Sequence, residues 1–462
     1  MAFLLRQCII FLILAAFSGA SFAFKDPSKE SLRFITLADI HFDPFSACRN
    51  ANMAPCTAIK ALQKADVSEW SEILARYDTE VQQYRFDTNY SLLTSTLNAA
   101  KQMADKKNVQ FVLVLGDFLA HNFRFTYIKY SGDYSRAGYQ TFVKKTFQFL
   151  TNELNKAFPT IDVFPVIGNN DSYHQNYSTS PNSRFLKEIE SIWMNLIKDK
   201  ANRLAMQESF NEAGYYAVDQ FKDAKLRLVV LNSVLFSYKA RGSEIHQAAH
   251  RQLSWLENEL AEAKDKGEKV FIAMHIPAGI DVYASLQFRM LRLIELWKTE
   301  YTKEYESILK TYAKPMGAIF AGHLHSDWFQ ILTLSNENRI PILGTPAISP
   351  AFGNNPSFKI YTYSFDSEEL LNVETYYYPL DKTRSWGLEY DFKRIYQLSC
   401  FRCPMIYGLD EIRRSGYLSN QYKRFYAVST NSQPIHTKWY PYYWCLVQGI
   451  DGKKYQACIS NQ

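Results

Sequence analysis

Long apolar runs are missing from all but the start of this chain. A membrane-spanning helix needs about 20 predominantly apolar residues, and every later stretch is broken by charge. The leading segment MAFLLRQCIIFLILAAFSGASFAF is itself too short to span: Arg6 precedes an apolar stretch from Cys8 to Phe17, and Ser21 and Ala23 offer small residues for cleavage before Phe24. It reads as a secretory signal peptide over residues 1–23, so the mature protein is expected outside the cytoplasm, in a periplasm, the medium or a lysosome-like lumen. Cysteine is scarce as well, with seven in 462 residues. Losing Cys8 with the signal leaves Cys48, Cys56, Cys400, Cys403, Cys445 and Cys458, an even set that reads as disulfides in an exported chain. Cys48 and Cys56 are close enough to pin a local loop, whereas the last four admit three pairings. A four-thiolate zinc site on those four is a rival reading, opposed by the Cys445 to Cys458 spacing, which is wrong for a zinc knuckle. No long Lys/Arg run concentrates the net charge of +6, which falls to +5 without Arg6 (6 − 1). Mild basicity favours anionic small molecules and specifies no stable nucleic-acid complex. Repeats and low-complexity tracts are absent too.

What the chain does have is alternation. Short apolar, β-branched runs at Leu32 to Ala38, Val109 to Leu115, Val163 to Ile167, Leu226 to Leu231, Val270 to Met274, Ala318 to Ala321 and Ile340 to Leu343 predict strands. Between them, Tyr90 to Ala104, Phe142 to Leu154 and Glu244 to Ala263 repeat apolar residues at helical spacing. Two later runs, Phe358 to Phe365 and Leu371 to Tyr378, alternate aromatic and polar residues around Asp366 and Ser367 and predict a hairpin. The sum is an α/β sandwich with mixed sheets. Its segments Thr57 to Arg85, Ser178 to Met206 and Tyr283 to Tyr312 read as helical excursions. Three units follow: the signal over residues 1–23, a large domain over 24–383, and a Cys- and Tyr-rich C-terminal subdomain over 384–462.

Polar residues able to ligate a metal stand where the apolar runs end. Asp39 and His41 follow the first run, and strict alternation would send both to one side. Asp117 follows a uniformly apolar run expected to be buried on both faces, where a carboxylate has to meet a cation; its two oxygens can bridge two ions. Asn169 in Gly168-Asn169-Asn170-Asp171 offers a neutral oxygen, although the same four residues make a good turn. His275, His323 and His325 end two further runs, and the last pair would share a side if the backbone stays extended. Each motif alone has a plainer meaning as a turn or a hydrogen-bonded histidine. Together they describe a metal site for phosphoryl chemistry. His246 and His250 share a helix face at a metal-binding spacing, but the motif lacks the glutamate of a zinc-protease helix, and that reading is rejected.

The ordered set Ala38-Asp39-Ile40-His41-Phe42-Asp43-Pro44, Gly116-Asp117 with His121, Gly168-Asn169-Asn170-Asp171, Met274-His275-Ile276-Pro277, Gly322-His323-Leu324-His325 with Asp327, and Gly344-Thr345-Pro346-Ala347 resembles the calcineurin-like metallophosphoesterases, and within them the acid sphingomyelinase-like phosphodiesterase branch. The resemblance spans roughly Leu32 to Pro379. It implies a four-layer αββα sandwich of two mixed sheets with a small disulfide-tied C-terminal subdomain. It further implies two divalent ions, zinc first, with iron or manganese open. One would lie among Asp39, His41, Asp117 and His325, the other among Asp117, Asn169, His275 and His323. Most of the family has His where this chain has Asn170, and an amide cannot transfer a proton near neutral pH. The leaving-group proton would then come from His121, with His174 second, and Asn170 would stabilise developing charge.

The expected activity is hydrolysis, through a metal-bridging hydroxide, of a phosphodiester or phosphoanhydride in a soluble nucleotide or CDP-alcohol type substrate by a monomeric enzyme. Endopolyphosphatase is the alternative raised by the GNND run, and sphingomyelin phosphodiesterase another, disfavoured because no saposin-like domain fits between Phe24 and Leu32. From a different class stands a non-catalytic secreted binding module, opposed by the presence of every ligand residue.

Overall fold

The computed structural model describes residues 31–461 apart from 52–54, 175, 222–224, 336–337, 397, 399–403, 413–415, 431–434, 436 and 448. The proposed signal segment and the cysteines Cys400 and Cys403 lie outside the described residues. In chain order the strands are β1 (Ser31–Leu37), β2 (Phe111–Val114), β3 (Asp162–Pro165), β4 (Tyr216–Phe221), β5 (Leu226–Val230), β6 (Lys269–Ala273), β7 (Met316–Ala321), β8 (Phe329–Thr333), β9 (Arg339–Gly344), β10 (Ser357–Ser364), β11 (Glu369–Tyr377) and β12 (Gly387–Asp391). They form two six-stranded sheets, ordered β12-β11-β10-β1-β2-β3 and β4-β5-β6-β7-β9-β8.

Both sheets have a parallel centre. β1 runs parallel to β2, and β2 to β3; β5, β6, β7 and β9 are likewise parallel neighbours. Every residue of β2, β3 and β5 is buried, as strands covered on both faces must be. The sheets meet through aromatic side chains: the Phe34 ring of β1 lies 5.7 Å from Phe271 of β6 and 5.2 Å from Phe320 of β7. The helix Tyr90–Lys107 covers β1 and the helix Ser243–Lys266 covers β5 and β6. The result is the helix-sheet-sheet-helix layering that the resemblance implied, built as two mixed sheets. Parallel neighbours end on the same side, so the C-terminal ends of β1, β2 and β3 and of β6 and β7 deliver their following turns to one edge.

The tail differs from a pattern without helix alternation. Short helices occupy Met405–Ile412, Gly416–Tyr426, Tyr440–Leu446 and Gly452–Ser460. They are held by large aromatic contacts more than by periodic aliphatics: Tyr390 stacks on Phe425 at 4.2 Å, and Tyr422 meets Phe329 of β8 at 5.2 Å. A disulfide between Cys445 and Cys458 joins the last two helices. That bond excludes the four-thiolate zinc site and settles the pairing of these two cysteines. Cys48 and Cys56 form the local disulfide expected of them.

A buried ion pair ties the turn after β7 to both sheets. Lys359 of β10 donates from Nζ to Asp327 Oδ1 at 2.6 Å and to the Gly344 carbonyl at 2.8 Å. The other Asp327 oxygen accepts from the Tyr390 hydroxyl at 2.9 Å and the Thr375 hydroxyl at 3.2 Å. Removing one partner of such a pair strands the other without water. Lys359→Met should therefore lower the unfolding free energy in urea by about 3–5 kcal/mol, with part of the loss regained by adding Asp327→Asn. A cost below about 1 kcal/mol, the range of surface pairs, would refute this role for the pair.

Candidate active site

The turns that follow the parallel strands do not continue them. Asp39, His41, Asp117, His323 and His325 all have positive φ, between 43° and 71°. Left-handed backbone costs a residue with a Cβ on the order of 1 kcal/mol and persists where its surroundings enforce it. Here they do: Asp39 N donates to the Gly116 carbonyl at 3.1 Å, and His41 N to the Asp117 carbonyl at 2.8 Å. Glycine supplies the clearance between the turns. A Cβ on Gly168 would stand 2.1 Å from Asp117 N, and one on Gly322 would stand 2.8 Å from Asp39 Oδ2. Asp39 and His41 still meet, with His41 Nε2 3.8 Å from Asp39 Oδ1, although through left-handed turns and not through strand alternation, whereas His323 and His325 do not share a side. His325 faces His41, with 3.1 Å between their Nε2 atoms. His323 instead lies against His275, with ring centroids 5.1 Å apart.

All seven proposed ligand residues are brought together. Asp117 is the hub: its Oδ2 lies 3.4 Å from His41 Nε2 and 3.3 Å from His275 Nε2. Asn169 Oδ1 lies 3.0 Å from the same His275 nitrogen. Asp39 Oδ1 is 3.4 Å from His325 Nε2, and its two oxygens accept from His323 N. Three overlapping groups, Asp39 with His41 and Asp117, His41 with His121 and His325, and Asp117 with His275 and His323, each hold their ligand atoms within 4.8 Å of one another. Carbonyl oxygens fix two rings from behind, Leu119 accepting from His41 Nδ1 at 3.0 Å and Leu115 from His275 Nδ1 at 2.8 Å. Both rings thus aim Nε2 at the cluster, as imidazole ligands to metals do.

Electrostatics suit a cation. Burial lowers His41 to about 4 and His323 to about 3, each helped by a neighbouring histidine, and pushes His325 down too. These rings are neutral lone-pair donors at neutral pH. Burial would lower His275 as well, but the charge and hydrogen bond of Asp117 raise it to about 9. Burial raises the Asp39 carboxyl, with Asp117 adding to the effect. Burial also presses Asp117 upward, yet His275 and His41 hold it far below the ordinary carboxylate range. A proton on His275 stands where a metal's charge would. Nitrogen and oxygen donors, neutral rings and a bare His325 Nδ1 without a hydrogen-bond partner fit one or more divalent ions.

His121 stands at the His41 end. Its ring stacks on His41 at 3.9 Å, and Nδ1 donates to Asp87 Oδ1 at 2.8 Å. Burial pulls His121 down, but the Asp87 hydrogen bond and charge carry it above its ordinary value. Asp87 also accepts from His121 N at 2.8 Å and from the Ser349 hydroxyl at 3.0 Å. No sequence signal marked Asp87, which follows no apolar strand. Phe352, 62% exposed, overhangs this end, its ring 4.6 Å from His325 and 5.5 Å from His121. Asn170 turns inward: its backbone N and side-chain Nδ2 donate to the two Asp117 oxygens at 2.8 and 2.7 Å. Asp171 is structural, accepting from Phe118 N, Leu119 N and Gly168 N. His174 is exposed and lines a separate hollow with Arg124, Arg136 and Tyr139. His246 and His250 pair with Tyr301 and Glu304 on the neighbouring helix.

Residues 32–327, more than half of the chain, match the family model described as Calcineurin-like phosphoesterase. A Bos taurus protein named Cyclic GMP-AMP phosphodiesterase SMPDL3A is 24% identical over 445 residues, covering 92% of this chain and 90% of that protein. Sphingomyelinase phosphodiesterase D of Dictyostelium discoideum is 26% identical over 388 residues, covering 79% and 80%. Among solved structures, a dimetal phosphatase from Danio rerio has a TM-score of 0.45 at 14% identity, covering 75% of this chain and 95% of that one.

Protons on Asp39 and His275 oppose metal binding, because an ion must displace them. Both groups are raised in the metal-free protein, so ion affinity should rise with pH. Adding zinc or manganese to stripped protein should stabilise it by about 4 kcal/mol at a thousandfold excess over the pH 7.5 Kd, and the same ion concentration should raise Tm less at pH 5.5. Asp117→Asn should remove most of that gain. A wild-type Tm indifferent to both ions would count against a metal centre here.

Proposed function

The chain belongs to the calcineurin-like phosphoesterase family and is a metal-dependent phosphodiesterase of the acid sphingomyelinase-like kind; from that premise we propose that it hydrolyses a soluble nucleotide or CDP-alcohol type substrate outside the cytoplasm. The observation that carries this reading is the meeting of Asp39, His41, Asp117, Asn169, His275, His323 and His325 around the two oxygens of Asp117. In this reading Asp39, His41, Asp117 and His325 hold one divalent ion, and Asp117, Asn169, His275 and His323 hold a second. The chemistry that such ions would supply is polarisation of the phosphoryl oxygens and a water made nucleophilic at neutral pH. Zinc suits the donor set, and iron and manganese suit it as well.

The remaining steps fall to side chains. Asn170 orients the bridging carboxylate through its Nδ2 hydrogen bond, leaving its second amide hydrogen for charge that develops on the phosphoryl oxygen. His121 keeps Nδ1–H on Asp87, which leaves Nε2 as the nitrogen that delivers a proton to the departing oxygen. The Asp87 carboxylate stabilises the protonated ring, the arrangement a general acid needs. Both disulfides, Cys48–Cys56 and Cys445–Cys458, suit an oxidising compartment. No helix of the described residues is long and apolar enough to cross a membrane.

His121→Ala should lower kcat on an alkyl phosphodiester by about 10²–10³-fold, and by less than about tenfold on bis(p-nitrophenyl) phosphate, whose leaving group needs little protonation. Bound metal should be unchanged. Equal losses on both substrates would remove His121 as the acid.

A further inference from the structure

The two ends of the candidate centre differ in what borders them. The His41 and His325 end carries the exposed Phe352 ring and His121, whose ring is paired with the Asp87 carboxylate, whereas the His323 end carries a lysine. Tyr177 is held there in left-handed backbone, φ 63°, with its N donating to the Asn169 carbonyl at 2.9 Å. A bulky residue in that region is uncommon and marks a position its surroundings enforce. The Tyr177 ring stands edge-on to His323, with centroids 6.4 Å apart and planes at 85°. Over its face lies Lys239, with Nζ 4.5 Å from the ring centroid, and the ammonium donates to the Tyr177 hydroxyl at 3.2 Å.

Lys239 is fixed at its base as well as at its tip. Tyr238 N donates to the Leu296 carbonyl at 3.2 Å, and Lys239 N donates to the Ser237 hydroxyl at 3.3 Å. Among the described residues no carboxylate oxygen lies within 4.0 Å of this ammonium. Asp281 feels its charge from farther off but is committed to capping a short helix through Ala284 N at 2.9 Å. An exposed lysine held on a ring beside a metal-ligand histidine, with donors to spare, is a receptor for an anion.

We propose that Lys239, seated on Tyr177, is a subsite for a second phosphate joined to the one under attack, so that the enzyme takes pyrophosphate diesters in preference to diesters whose neighbouring group is neutral or cationic. This deepens the phosphodiesterase reading above and rests on it. In the reaction, a water oxygen bonds to one phosphorus and the bridging P–O bond breaks, its electron pair going to the departing phosphate. Lys239 meets that charge, and the proton released from water passes to solvent. A departing phosphate needs no proton from His121, so the two ends of the centre serve different leaving groups. A quaternary ammonium, as in a phosphocholine head, would be repelled at this end.

The test compares diadenosine diphosphate with bis(p-nitrophenyl) phosphate on the metal-loaded full-length enzyme. In Lys239→Met, the ratio of kcat/KM for the first to that for the second should fall about tenfold, the worth of one charge-assisted hydrogen bond, with the loss mostly in KM. Lys239→Arg should hold the ratio within a few-fold of wild type. A ratio unchanged by Lys239→Met, whether both activities fall together or neither does, overturns the subsite. Wild-type enzyme that cleaves the diester but not the anhydride overturns it too while sparing the phosphodiesterase reading. Wild-type enzyme inactive on both overturns the two together.

Discussion

The Asp117 carboxylate is kept charged although it is almost wholly buried, and most of the surrounding architecture follows from meeting that charge. An isolated carboxylate at such a depth would take up a proton. Here Asn170 donates to both oxygens, and His41 and His275 stand against Oδ2. These partners come from turns after three different strands in two sheets, so the charge can be met only if the sandwich is closed. The glycines at Gly116, Gly168 and Gly322 follow from the same constraint, since a Cβ at any of them would press on the turns or carboxylates that converge here.

Strands were legible where burial is complete. β1, β2, β3, β5, β6, β7, β9, β10 and β11 were all anticipated from apolar or alternating runs, with ends off by a residue or two. The three that were not, β4, β8 and β12, are all edge strands. An edge has one neighbour, and it tolerates Asp219, Gln330 or Glu389 in its run, which dilutes the apolar signal. The helical tail was hidden for a different reason. Its packing is carried by tyrosine and tryptophan contacts and a disulfide, which leave no aliphatic period to read.

The ligand cluster was legible as a set because its members sit where apolar runs stop, a position where a carboxylate or imidazole needs an explanation. Their pairing was only partly so. Alternation predicts neighbours from extended backbone; Asp39 and His41 meet as it predicts, but the left-handed turns at His323 and His325 send those two rings to different partners. Asp87, Tyr177, Lys239 and Phe352 left no trace at all. They come from loops outside the ligand motifs, and only the folded chain shows that they border the cluster.

Those four loop residues form the rim of the ligand cluster, two at each end. The buried shell is constrained by coordination and glycine clearance, so little in it can vary without losing the ions or the turns. Selectivity therefore has to reside at the rim. There, Asp87 fixes the tautomer of His121 at one end, and Tyr177 fixes Lys239 at the other. In the proposed reading the first arrangement would handle a poor leaving oxygen by protonating it, the second a good one by accepting its charge. On that proposal an amide at Asn170 beside the Asp117 carboxylate is tolerable, because proton delivery by His121 and charge neutralisation by Lys239 would lie at opposite ends of the ligand cluster and neither would need Asn170 to move a proton.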